Sequence, residues 1–222
     1  MKTFLIFDNK KERKLPKEFQ GDDNRNPESL VRYFLKEFTK KGDKVFDPFA
    51  GFGTTLLVSE ELGRIPFGIE FSNQRADYIK SQMKNKDNLI KGSSLKIKSY
   101  KLPKFDFCFT SPPYMLKEDK ENPFSAYIKK GNYSQYLKDL SKIFYQVKKV
   151  IKKDSYLVIE VSNLKGNGVT TLAWDIEREI SKSFKFKGEL VIGWKGKDTY
   201  SPKGNYGYGY DHSYCLIFKN NS

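Results

Sequence analysis

Residues 45–55 read VFDPFAGFGTT, and the fold class follows from this stretch. An apolar run ends in Asp47-Pro48, turns through Gly51 and Gly53, and predicts a helix from Thr54-Thr55. Glycine takes positive φ at little cost and has no Cβ to block a ligand approaching the backbone. Thr54 or Thr55 is placed to cap the following helix, whose first N–H groups lack intrahelical partners. Strand, glycine turn and helix, in that order, build a ligand crevice at the carboxyl ends of the strands of an α/β sheet.

The same residues exclude two common ligands. A P-loop needs Lys after its last glycine, where Thr54 stands. A dinucleotide fingerprint needs a third glycine, where Leu56 stands. The next apolar run, residues 66–70, ends in Glu70 with Phe71 beside it, at about the spacing of an acid that binds ribose hydroxyls. On this stretch alone, a tight turn followed by a surface Glu remains the lesser alternative.

Residues 105–114, FDFCFTSPPY, change that balance. An apolar strand runs straight into Thr110-Ser111-Pro112-Pro113-Tyr114. Together, FDPFAGFGTT and TSPPY resemble motifs I and IV of the amino-methyltransferases, which methylate exocyclic amines of nucleic-acid bases using S-adenosylmethionine. The likeness runs from Asn26 to the end of the chain. It implies an α/β class I methyltransferase (Rossmann-like) fold: a seven-stranded mixed sheet whose last strand is inserted antiparallel.

The resemblance also assigns residues. Asp47, Pro48, Phe49, Gly51, Gly53, Thr54, Thr55, Glu70 and Phe71 fall in the cofactor positions. RNPESLVRYF resembles motif X, whose first turn touches the methionine end of the cofactor. Asn26 and Pro27 are carried over there, although the His or Lys common near its start is absent. The family usually has Asp directly after the glycine that ends the third strand. Here Gly92 is followed by Ser93-Ser94, so either serine stands as a neutral acceptor for the adenine amine.

The chemistry follows from SPPY itself. An exocyclic base amine is a poor nucleophile because its lone pair is delocalised into the ring. Two acceptors aimed at its two N–H bonds favour a pyramidal nitrogen and turn the lone pair toward the methyl donor. The Ser111 hydroxyl and the Pro112 carbonyl are those candidates, and the Pro112-Pro113 pair fixes φ and holds the geometry. Tyr114 offers a ring for a base that has left its helix. Displacement at a sulfonium needs positioning and electrostatic preorganisation, with no metal. In the resembling family SPPY is more often associated with cytosine N4, and DPPY or NPPY with adenine N6 or guanine N2.

Length and composition fit one domain over residues 1–222, with residues 1–24 as an N-terminal arm. The hydrophobic content of 38% and aromatic content of 15% are ample for a single core. No apolar run approaches the roughly 18 residues that span a bilayer, and residues 1–7 are too short for a signal-peptide core, so a cytoplasmic protein is expected. Cys108 and Cys215 lie in predicted strands and read as reduced core residues. The net charge of +14 favours a nucleic-acid partner. Yet Lys outnumbers Arg 35 to 6, an excess that genome composition would also produce.

Around the two motifs the pattern alternates. Residues 4–7 form a short apolar run, and the basic stretch 10–17 reads either as a phosphate-contacting arm or as a mobile terminus. Asn26-Pro27 begins a helix with a capping side chain and Pro in the first turn, and Leu30, Val31, Phe34, Leu35 and Phe38 recur at helical spacing. Further helices are predicted at 54–62, 73–86, 133–151 and 170–184. Strands are predicted at 67–70, 88–92, 156–161, 188–194 and 213–218, the last two paired antiparallel. His212, the sole histidine, opens the last strand and reads as structural.

No separate target-recognition domain is present in this pattern; only residues 115–132 and 195–211 are long enough to touch substrate outside the pocket. The second, KGKDTYSPKGNYGYGYD, interleaves Tyr, Gly and Lys in a way that suits backbone contact and base stacking. Such short loops imply a short recognition sequence, a partner subunit, or a single-stranded or RNA substrate. The expectation is a class I DNA methyltransferase acting on cytosine N4, either partnered with a restriction endonuclease (restriction-modification) or solitary. The alternatives are adenine N6, an RNA base, and an inactive methyltransferase-fold subunit that binds nucleic acid.

Overall fold

A computed structural model describes residues 2–125, 130–195 and 208–221. In chain order the elements are β1 (Phe4–Asp8), α1 (Glu28–Phe38), β2 (Lys44–Asp47), α2 (Thr54–Glu61), β3 (Ile65–Glu70), α3 (Asn73–Gln82), β4 (Leu89–Lys91) and β5 (Phe105–Thr110). They continue with α4 (Tyr133–Val150), β6 (Ile151–Val161), β7 (Leu164–Lys165), β8 (Val169–Thr170), α5 (Leu172–Ser181), β9 (Lys185–Lys195) and β10 (His212–Lys219).

Every residue of β5 except Asp106 is buried, which requires cover on both faces of the sheet. On one face Phe105 stacks on Phe46 at 4.5 Å, within the core that α4 and α5 close. On the other, Phe107 stacks on Phe38 of α1 at 5.4 Å, and Phe109 packs on Phe34. Cys108 and Cys215 are buried and unpaired, as expected. Gly68 lets α2 lie close to β3: a Cβ there would meet Leu56 Cδ1 at 2.7 Å.

The main sheet runs β1-β9-β10-β6-β5-β2-β3-β4. All neighbours are parallel except at β10, which is antiparallel to both β9 and β6. The inserted antiparallel last strand is therefore present, but the sheet has eight strands rather than seven. The extra strand is β1, which pairs Phe4 with Val191 and Phe7 with Trp194. Its partner lies at the far end of the sequence, so local pattern gives no sign of the pairing.

The N-terminal arm also departs from the mobile-terminus reading. Fully buried Glu28 accepts from Glu12 N at 2.8 Å and Arg13 N at 3.2 Å. Arg25 donates to the Arg13 carbonyl at 2.8 Å, and Arg32 forks onto Glu12 at 2.8 and 2.9 Å. The 3-10 turn Lys17–Asp22 carries Phe19 onto Phe52 and Tyr78. The arm is an ordered strap across the carboxyl ends of the strands.

Two capping expectations are corrected. The N-cap of α1 is Pro27, with no side-chain cap, and Asn26 lies outside the helix. The N-cap of α2 is Gly53, left-handed at φ 82°, and neither threonine caps it; Thr55 turns to Asp47 instead. Two helices are also shorter than their apolar periodicity suggested, α3 ending at Gln82 and α5 running from Leu172 to Ser181.

Replacing Glu28 by Ala leaves the Glu12 and Arg13 amides without their acceptor. A loss of about 1–3 kcal/mol is expected in urea unfolding, together with faster tryptic cleavage at Lys11 and Arg13. Unchanged cleavage would contradict the clamp.

Candidate active site

The strand order turns at β2 and β5, which are neighbours whose following connections leave in opposite directions along the sheet. Such a switch point opens a crevice at the carboxyl ends of the strands. Asp47 ends β2 and Thr110 ends β5. The Thr110 hydroxyl donates to Asp47 Oδ1 at 2.6 Å, a buried bond that ties the glycine turn to the proline pair. Asp47 also accepts from Phe49 N at 3.0 Å and from the Thr55 hydroxyl. Burial outweighs these bonds and pushes the Asp47 carboxyl up to about 6.

Gly51 has φ +58°, and its amide donates to Glu70 Oε2 at 2.8 Å. Glu70 Oε1 accepts from Ser72 N at 2.8 Å. Burial raises the Glu70 carboxyl against these amides. Each oxygen has a backbone donor that fixes its direction and a second lone pair for a hydroxyl of a ligand.

A cavity of about 890 Å³ opens here. It is lined by Asn26, Asp47, Pro48, Phe49, Gly51, Thr54, Thr55, Glu70, Phe71, Ser93, Ser94, Ser111, Pro112, Pro113 and Tyr114. Thus nearly all the residues singled out in the sequence meet in one place. Pro27 and Gly53 do not line it. Pro27 serves as the helix cap, and Gly53 backs onto Ile79, which a Cβ would meet at 3.0 Å.

The two serines after Gly92 are bonded within the protein. Ser93 Oγ accepts from Leu95 N at 3.3 Å. Ser94 donates to the Pro48 carbonyl, holding the third-strand loop against the glycine turn. Gly92 makes room for Tyr100, whose hydroxyl a Cβ would meet at 2.3 Å.

In SPPY, the Ser111 hydroxyl donates to Glu160 Oε2 at 3.1 Å. Tyr114 donates to the same oxygen at 3.3 Å and accepts from Ser162 N at 3.1 Å. The Tyr136 hydroxyl donates to the Pro113 carbonyl at 3.0 Å. The loop is therefore braced from β6 and α4 as well as by its own rings. Fully buried Glu160 was missed in the sequence. Its signal was present: an acid inside the otherwise apolar run of residues 156–161 has no reason to be there without a partner.

The strap supplies further wall residues that the sequence did not single out, among them Lys11, Phe19 and Arg25. Arg25 is bidentate to Asp23 at 2.7 and 2.9 Å. Of the two candidate substrate loops, residues 126–129 and 196–207 lie outside the described residues. Among the described residues there is no cluster able to hold a metal, and no helix is long and apolar enough to cross a membrane.

Fold and crevice together define a class I methyltransferase. The crystal structure of TrmN from Thermus thermophilus superposes with a TM-score of 0.62 at 12% identity, covering 90% of this chain and 50% of that one. The chain belongs to the N6/N4 DNA methylase family, whose model matches residues 3–81 and 105–222. The type II methyltransferase M.BamHI of Bacillus amyloliquefaciens is 53% identical over 58 residues, 26% of this chain and 13% of that protein. M.HinfI of Haemophilus influenzae, also a type II methyltransferase, is 39% identical over 80 residues, 35% of this chain and 22% of its own length. The matches thus span less than a quarter of either relative.

Fold and family carry S-adenosylmethionine as cofactor, and the cavity fits it. Paired Glu70 oxygens suit ribose hydroxyls, Gly51 leaves room for the ligand, and the acid Asp47 suits a sulfonium. Below about pH 6 Asp47 takes up a proton and loses its charge, so affinity for the cationic cofactor falls with falling pH. Calorimetry from pH 8 to 5 should show S-adenosylmethionine losing more affinity than the uncharged sulfide S-adenosylhomocysteine. Parallel losses would remove Asp47 from that role.

Proposed function

We propose that the protein transfers a methyl group from S-adenosylmethionine to an exocyclic amine of a base in DNA, with cytosine N4 as the target. When bound, the cofactor supplies an electrophilic methyl on a sulfur leaving group. The rest is positioning.

Ser111 commits its only proton to Glu160, so its lone pairs face the cavity as acceptors. The Pro113 carbonyl is taken by Tyr136, which leaves the preceding carbonyl, that of Pro112, as the second acceptor for the amine. Tyr114, pinned at its hydroxyl from two sides, presents a fixed ring to the extruded base. As the nitrogen forms its new bond to carbon it must lose a proton. That proton passes to Ser111 Oγ while the Ser111 proton moves to Glu160 Oε2. Thr110, through Asp47, sets the distance between this amine cradle and the glycine turn.

The observation that carries the reading is the pairing of Ser111 and Tyr114 on one buried carboxylate, in the same cavity as Asp47 and Glu70. A neutral serine at the head of the motif supports cytosine N4. The family and the type II relatives support DNA as the substrate.

Nucleoside mass spectrometry of DNA and RNA incubated with protein and S-adenosylmethionine decides the target. N4-methylcytosine in DNA is expected; N6-methyladenine, or methylation of RNA alone, would overturn the reading. Glu160→Gln is expected to lower the methyl-transfer rate by about 10²–10⁴-fold while leaving S-adenosylhomocysteine affinity within twofold (about 0.4 kcal/mol). Full activity of that variant would remove Glu160 from the proton path.

A further inference from the structure

Two groups of aromatic side chains follow one another from the cavity along the rim formed by the β7–β8 hairpin, the first turn of α5 and the start of β10. The first is Tyr114 with Tyr208, the second is Tyr210 with His212, Tyr214 and Trp174, and Lys165 bridges the two groups. Tyr114 lies 5.4 Å from Tyr208, ring to ring. Beyond it, Tyr210 meets His212 at 5.3 Å, His212 meets Tyr214 at 5.2 Å, and Tyr214 meets Trp174 at 5.0 Å. His212 Nε2 is also hydrogen-bonded to the Tyr214 hydroxyl at 3.0 Å.

The rim is built rather than incidental. Tyr208 adopts a left-handed backbone at φ 54°, a conformation that costs a bulky residue energy and is held only by its surroundings. Here the Tyr208 carbonyl accepts from Lys165 N at 3.1 Å. The Lys165 ammonium then sits 4.5 Å from the centre of the Tyr210 ring. Two of the rim's rings are open to solvent: Tyr208 is 44% and Trp174 36% exposed. Tyr114 and Tyr214 also pack against the core, but the exposed rings of Tyr208 and Trp174 and the lysine on Tyr210 do not serve it.

We propose that this rim, ending at Trp174, binds the nucleotides that flank the target base on the same DNA strand. The assignment rests on the proposed base pocket, to which the rim is joined through Tyr114, Tyr208 and Lys165. When a base leaves its helix its neighbours lose a stacking partner. π-faces beside the pocket mouth replace it without reading sequence, and each stacked base contributes about 1–3 kcal/mol. Lys165 adds a cation for the strand's phosphates. The acids nearby, Glu118 and Asp211, set a limit on how much of the affinity is electrostatic. The rim thus holds the strand mainly by stacking, so binding here depends less on salt than a purely basic surface would.

Trp174 reports on its own site. The other tryptophan, Trp194, is 4% exposed, so quenching on titration with a short single-stranded oligonucleotide containing cytosine reports Trp174. Strong quenching is expected. Trp174→Leu, which keeps apolar volume without a π-face of that size, should weaken oligonucleotide binding by about tenfold, and Trp174→Phe by less. Both variants should bind S-adenosylhomocysteine as the wild type does, which shows that they are folded. Absent quenching, or unchanged oligonucleotide affinity in Trp174→Leu, would overturn the rim. Methylation of a base other than cytosine N4, with Trp174→Leu still weak in binding, would overturn the target assignment and leave the rim intact.

Discussion

The site depends on one short buried bond, from the Thr110 hydroxyl to Asp47. It joins the ends of two strands that are adjacent in the sheet but 63 positions apart in sequence. On one side of it hang the parts proposed to bind the methyl donor: the glycine turn, the amides directed at Glu70, and the serine that returns from the third-strand loop. On the other hangs the SPPY loop proposed to hold the amine. A low-dielectric setting makes the bond strong, and it also raises the cost of the Asp47 charge. That tension places the carboxyl near 6 rather than in the usual range.

A second constraint comes from the N-terminal strap. Glu28 is buried at the start of α1, yet it bonds to the strap's amides and none of its own helix's. Its carboxylate fixes the path of residues that wall the cavity on the side opposite the sheet. The strap begins at β1, whose end bonds to Lys195 at the end of β9, and it ends over Phe52 beside α3. The strap therefore runs from one edge of the sheet to Phe52 and Tyr78, and Asn9, Lys11, Phe19 and Arg25 line the cavity along its way.

The sequence was most readable where local chemistry decides structure. VFDPFAGFGTT and FDFCFTSPPY each contain their own strand end, turn and rigidifying residues, so most of the cavity lining was legible in them. It was least readable where a side chain acts at long range. β1 finds its partner at Val191, Glu28 reaches back to Glu12, and Glu160 reaches Ser111 and Tyr114 from another strand. No local period encodes such pairings. The caps failed for a different reason. Asn26 and Thr54 are good capping types, but Pro27 and left-handed Gly53 already set the chain's entry, and Thr55 is needed at Asp47. Glu160 alone gave a usable sign, a charge inside an apolar strand, which the hydrophobic pattern around it obscured.

The central claim is that the two loops act as one unit through Thr110 and Asp47. A double-mutant cycle on the single-turnover methyl-transfer rate, using Thr110→Val and Asp47→Ala, tests it directly. If the bond couples the loops, the double variant is no worse than the poorer single one, with an interaction energy of about 1–3 kcal/mol. Effects that add to within about 0.5 kcal/mol would mean the loops are positioned independently and would contradict the account.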